Sequence, residues 1–90
     1  ADFEDTMFSE PQVNDFQAVL VTEEATGRES MRLLIEVKRG SDSAAVRDLV
    51  GALIKRTFEV TPDVEVLPLG TLAAEFERSI KAPRFVDKRI

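Results

Sequence analysis

The side chains able to do chemistry in this chain are few, and they gather at one end. The 90 residues include no Cys and no His. That removes thiol nucleophiles, disulfide frameworks, Cys-type zinc sites and imidazole relays. Charge remains. Residues 78–90 carry Arg78, Lys81, Arg84, Lys88 and Arg89 against Asp87 alone, whereas residues 1–77 carry 7 basic and 16 acidic side chains. A basic tail on an acidic body suits one small anionic ligand or an acidic partner surface. It does not suit nucleic acid, because neutralising a run of phosphates takes several clustered cations and the body repels a polyanion.

The other charged groups suggest no chemistry. Glu23, Glu24 and Glu29 fall in a polar connection without the ligand spacing of a calcium loop, and read as solvated charges. Asp42 reads as a helix cap and Asp48 as part of an exposed helical face, so they form no acid–base pair. On composition alone, Lys81 is a solubilising charge.

The elements that must position the tail follow from periodicity. Phe3, Met7 and Phe8, with Asp2, Glu4 and Asp5 among them, predict a short first helix that Ser9-Glu10-Pro11 stops. Val13–Thr22 reads as a strand with Phe16, Ala18 and Leu20 on one face and Gln17, Val19 and Val21 on the other. Glu23–Ser30, with Thr26-Gly27, reads as a hairpin connection. Met31, Leu33, Ile35 and Val37 at period two give the clearest strand, alternating with Arg32, Leu34 and Glu36.

Gly40-Ser41-Asp42-Ser43 supplies N-cap oxygens for the next segment. There Val46, Leu49, Val50, Leu53, Ile54 and Phe58 form the apolar stripe of a helix over Ala44–Phe58. Thr61-Pro62 breaks it, and Val64, Val66 and Leu67 give a third strand ending at Pro68-Leu69-Gly70. Thr71 is positioned to cap a short helix over Leu72–Ser79, and Arg84-Phe85-Val86 can add a final short strand. The order α-β-β-α-β, plus a short C-terminal helix and strand, predicts an α+β sandwich. Its expected form is ferredoxin-like, a three-stranded sheet with helices on one face.

Residues 1–90 make a single domain, since a chain this short cannot build a second core. With 43% hydrophobic and 32% charged residues the composition is that of a globular protein. The absence of a long apolar run predicts no membrane span or signal segment, and so a cytoplasmic setting.

Gly70-Thr71-Leu72 leading to Lys81-Ala82-Pro83-Arg84-Phe85-Val86-Asp87-Lys88-Arg89 resembles the ending of the phenylacetate–coenzyme A ligase family. That ending is a Pro-Gly-(Ser/Thr)-(Ile/Leu) turn followed by Gly-Lys-Ala-x-Arg-Val-x-Asp-x-Arg. Upstream, Phe8-Ser9-Glu10-Pro11-Gln12-Val13 before Phe16-Gln17 is similar to the family's entry into its first strand, and Leu34-Ile35-Glu36-Val37 to its second. The resemblance spans essentially the whole chain, and the Lys-Ala-x-Arg-x-x-Asp-x-Arg tail is its specific part.

The resemblance implies the mobile C-terminal domain of an adenylate-forming ligase, inactive alone. The larger enzyme would convert a carboxylic acid, aryl acids among the candidates, with ATP, Mg2+ and coenzyme A into an acyl-CoA, AMP and pyrophosphate. The N-terminal domain of the same chain would be its partner and would hold the nucleotide and acid sites. Isolated copies could pair as a homodimer through the surface that normally faces that domain. By position Lys81 matches the family's adenylation lysine. Arg84 and Arg89 match two further cations, which would either contact a phosphate or the N-terminal domain or pair with Asp87 or the acidic body. For Arg89 the ion pair is expected; Arg84 stands between the two as a candidate substrate-binding residue.

Two departures bear on the site. Ile80 stands where the family has Gly before the lysine, and the spacing from Gly70 to Lys81 is longer than the family's. The lysine loop is therefore expected to be reshaped, with Ala73–Arg78 as an extra helical turn. The competing expectation is a free-standing ferredoxin-like regulatory or ligand-binding module, which needs only the α/β pattern.

Overall fold

The computed structural model describes residues 2–78 and 84–89, with residues 75–78 described as backbone. The element order is α1 (Phe3–Phe8), β1 (Val13–Thr22), β2 (Glu29–Val37), α2 (Ser43–Phe58), β3 (Asp63–Leu67), α3 (Thr71–Arg78) and β4 (Phe85–Lys88). The strands form one four-stranded sheet in the order β3-β2-β1-β4. β1 and β2 are antiparallel, while β3 runs parallel to β2 and β4 parallel to β1.

The α+β class is as expected, and the three-stranded ferredoxin-like plan is not. A helical crossover between adjacent strands returns the chain alongside the strand it left, so β2-α2-β3 gives a parallel pair. The tail then fills the free edge of β1. Ala18 N donates to Arg84 O at 2.7 Å, and Ala18 to Val21 pair with Phe85 to Lys88.

One sheet face carries the main core. Phe16 and Ala18 of β1 lie beside Leu33 and Ile35 of β2, and α2 covers them with Val46, Val50 and Ile54. All seven are at most 1% exposed. The stripe expected of α2 is narrower than its six apolar residues, for Leu49 is 43% exposed. Residues at i, i+4 and i+8 share one line on a helix, and the sheet reaches little beyond it. Asp42 caps α2 by accepting from Ala44 N at 3.1 Å and Ala45 N at 3.2 Å. The helix ends before Thr61-Pro62, at Glu59 in the left-handed region with φ 58°.

Phe3 joins α1 to three other elements, β1, α2 and β4. Its ring centroid lies 5.7 Å from that of Phe16, 5.2 Å from Phe58 and 5.5 Å from Phe85. Asp2 caps α1 by accepting from Glu4 N at 2.8 Å, and the helix stops at Ser9, two residues before Pro11.

Helices do not keep to one face. Successive strand residues point to opposite sides, so Glu36 leaves the sheet away from Ile35 and Val37. It meets the start of α3 there. Among the described residues no helix is long and apolar enough to cross a membrane.

Candidate functional site

Lys81, with residues 79–83 as a whole, lies outside the described residues, as does the expected helix end at Ser79. The structure describes both elements between which that segment runs. α3 delivers the chain to residue 78, and Arg84 receives it at the start of β4.

The start of α3 is held by the sheet. Pro68 and Gly70 make a tight turn in which Thr71 N donates to Pro68 O at 3.2 Å. Gly70 takes φ 92°, a conformation that a side chain would strain. Thr71 does not cap the helix as expected; it is the first helical residue, and its hydroxyl donates to Pro68 O at 2.7 Å. The cap is Glu36. Its Oε1 accepts from Gly70 N at 3.1 Å and from Asn14 Nδ2 at 3.2 Å, and its Oε2 accepts from Leu72 N at 2.5 Å. A carboxylate suits the positive end of a helix. Glu36 is 0% exposed, and three donors offset the cost of removing its charge from water.

Asn14 reaches Glu36 through a β-bulge. The β1–β2 register shifts between Val13 and Asp15, so Val13 pairs with Val37 and Asp15 with Glu36. One residue is inserted, which lets Val13 and Phe16 both stay in the core. Asn14 and Asp15 occupy the interval. Two polar residues between apolar ones at i and i+3, interrupting a period-two strand, are the trace this leaves in the sequence. Glu36 leaves none, since it alternates with Leu34 and Arg32 like a solvent-facing residue.

Arg84 is fixed by its backbone and by its side chain. Its Nε donates to Asp15 Oδ1 at 2.8 Å and its Nη2 to Oδ2 at 3.5 Å, with Glu4 Oε1 3.9 Å from Nη1. The hydrogen bond to Asp15 raises its pKa, against a smaller opposing effect of burial. The guanidinium carbon also lies 5.7 Å from the Phe8 ring centroid. Of the two readings open for Arg84, the described contacts are those of an ion pair with the acidic body.

Arg89 is paired as expected. Its Nη2 lies 2.6 Å from Asp87 Oδ2, its Nε donates to Asp87 Oδ1 at 2.9 Å, and its Nη1 reaches Glu29 Oε2 at 3.2 Å. These hydrogen bonds lower the Asp87 pKa to about 2 and raise that of Arg89. An apolar groove of about 500 Å³ lies beside this pair, lined by Phe3, Leu20, Met31, Phe58 and Phe85.

Among the described residues, no three acidic side chains converge into a group able to hold a metal ion. The described carboxylates near the tail meet donors: Asp15 meets Arg84, Asp87 meets Arg89 and Glu36 meets the start of α3. What the described arrangement does is tie the start of α3 to β2 through Glu36 and Arg84 to β1 through Ala18 and Asp15.

No protein-family model matches the chain, and no curated protein matches it in sequence. Solved structures do match. A domain of phenylacetate-coenzyme A ligase from Bacteroides vulgatus ATCC 8482 superposes with a TM-score of 0.72 at 22% identity, over 97% of this chain and 80% of that one. 2-Hydroxyisobutyryl-CoA ligase, in complex with 2-HIB-AMP and CoA in the thioesterification state, superposes with a TM-score of 0.72 at 18% identity over 96% of this chain. The matched region is 18% of that ligase's length. The chain therefore has the fold of a domain that occurs in acid–coenzyme A ligases.

Proposed function

We propose that this chain is the mobile C-terminal domain of an AMP-forming acid–coenzyme A ligase, in which Lys81 is the adenylation lysine. The observation that carries the reading is the likeness of nearly the whole chain to a domain of phenylacetate-coenzyme A ligase. The tail from Lys81 to Arg89 supports it with the family's spacing of Lys, Arg, Asp and Arg.

In adenylation a carboxylate oxygen attacks the α-phosphorus of ATP, and the bond to the pyrophosphate oxygen breaks. Two anions must approach while charge builds on the leaving group. An ammonium that bridges carboxylate and phosphate oxygens offsets this repulsion, most strongly where water is excluded. Lysine suits the task as a compact charge on a flexible stem. A group of this kind contributes about 3–4 kcal/mol to the transition state, or several hundredfold in rate.

ATP, Mg2+, coenzyme A and the acid belong to the full-length enzyme, and aryl acids are among the candidate substrates. The partner of this domain is the N-terminal domain of the same chain, against which it turns between an adenylating and a thioester-forming orientation. A fold neighbour described in a thioesterification state supports such a cycle. The test is deletion. The full-length enzyme should catalyse acid-dependent exchange of pyrophosphate into ATP, and removing residues 1–90 should abolish it; exchange that survives the deletion contradicts the assignment.

A further inference from the structure

Gly51 sits in the middle of α2, where packing does not ask for a glycine. In a helix interior glycine is less stable than alanine, because the unfolded chain gains more freedom from it. A Cβ at this position would meet Val64 Cγ2 at 3.8 Å, an ordinary van der Waals contact, so alanine fits. What the missing side chain leaves is a floor. An open groove of about 390 Å³ runs there, with Arg47, Asp48, Gly51 and Lys55 on the α2 side and Thr61 and Val64 on the other.

Arg47, Gly51 and Lys55 follow at i, i+4 and i+8, so they stand in one line along the helix. Each cation starts about 6 Å from the gap between them, within reach of a long, flexible side chain. Arg47 Nε lies 3.4 Å from Asp48 Oδ1, with the two side chains 49% and 77% exposed. So solvated a pair leaves the guanidinium able to turn toward a ligand. Two cations against one carboxylate also make the groove positive, on a chain whose total charge is −5.

We propose that the groove over Gly51 is a binding site for the phosphate group of a small phosphorylated ligand. Arg47 and Lys55 hold it from either side, and the Thr61 hydroxyl donates to a third oxygen. A phosphate presents three acceptor oxygens to these three groups, where a carboxylate presents two. The ligand is small because further phosphates would meet an acidic body. The assignment is independent of the role of Lys81.

Residues 1–90 have their own core, so amide-resolved NMR titration of this chain reads the site directly. The probes are inorganic phosphate, phenyl phosphate and acetate, at one ionic strength set by sodium chloride. Both phosphates should shift the Gly51, Lys55 and Thr61 amides to saturation with a Kd of about 1 mM, and acetate should not; the tighter of the two tells whether the site takes the free ion or an ester. Arg47→Ala and Lys55→Ala should each weaken binding about tenfold or more. Gly51→Ala should weaken it as much while raising Tm, since the added methyl fills the floor of a helix that it stabilises. That rise separates loss of the site from loss of the fold. Phosphate shifts that do not saturate, equal shifts with acetate, or parental affinity in Gly51→Ala would each overturn the proposal.

Discussion

The Cα atoms of Asp15 and Glu36 are direct partners across the β1–β2 ladder, yet their carboxylates serve different elements. Asp15 takes the Arg84 guanidinium and Glu36 takes the first turn of α3. Like charges directly opposite on a sheet destabilise it. Here each is drawn away by its own donors, and the repulsion is offset by tying two distant parts of the chain to the strand pair.

Stability should register that arrangement at Glu36. Glu36→Ala leaves the buried Leu72 N–H without its acceptor, together with the partly buried donors of Gly70 and Asn14. An unsatisfied buried donor costs about 1–3 kcal/mol, so denaturant titration should show a loss of about 3 kcal/mol. Glu36→Gln keeps one acceptor oxygen and should lose about half as much. A neutral Glu36→Ala would mean that the start of α3 finds its hydrogen bonds in water.

Along α2, two leucine-sized residues should behave very differently. Ile54 is 0% exposed and belongs to the core, whereas Leu49 is 43% exposed. Ile54→Ala should cost about 2–5 kcal/mol through lost burial and the cavity left behind. Leu49→Ala should stay within about 0.5 kcal/mol. Equal losses would show that the helix presents a wider face to the sheet than the one described.

Much of this architecture was legible in the sequence, and the parts that were not share a cause. β1, β2 and α2 announce themselves because Phe16-x-Ala18, Met31 to Val37 and Val46 to Ile54 repeat at the period of their own elements. The fourth strand is legible only in part: a short strand over Arg84–Val86 is expected, but its place in the sheet is not. Asp87 and Lys88 are polar, and its partner β1 lies more than sixty residues earlier, so no local pattern tells which edge it joins. Glu36 was hidden for the same reason, because a turn arriving at Pro68–Leu72 decides its burial. The pairing of Arg89 with Asp87 could be read, being two residues apart; that of Arg84 with Asp15 could not. Lys81 was singled out by resemblance to a family, its own composition and spacing having marked it only as one charge among several.

Asp87 offers a pH reading of the tail. Hydrogen bonds from the Arg89 side chain, then from its backbone N–H, lower its pKa from 3.8 to about 2. A carboxyl whose folded pKa is depressed contributes stability above its unfolded pKa and loses it as pH falls through the folded one. The pair should therefore be fully formed above about pH 4 and release between about pH 4 and pH 2. Carbon-detected NMR titration should give an Asp87 midpoint near 2, and Arg89→Ala should return it toward 3.8. An unshifted midpoint in the parent protein would place Arg89 elsewhere in solution.

The central claim is that one side chain of this domain serves adenylation and not thioester formation. Replacing Lys81 by Ala in the full-length enzyme and measuring the two half-reactions separately tests it most directly. Acid-dependent ATP–pyrophosphate exchange should fall at least several hundredfold, the equivalent of about 3–4 kcal/mol. Thioester formation from presynthesised acyl-adenylate and coenzyme A should stay within about twofold of the parent rate, since uniform loss of folding or binding would lower both steps. Exchange at the parental rate, or an equal fall in both half-reactions, would contradict the account.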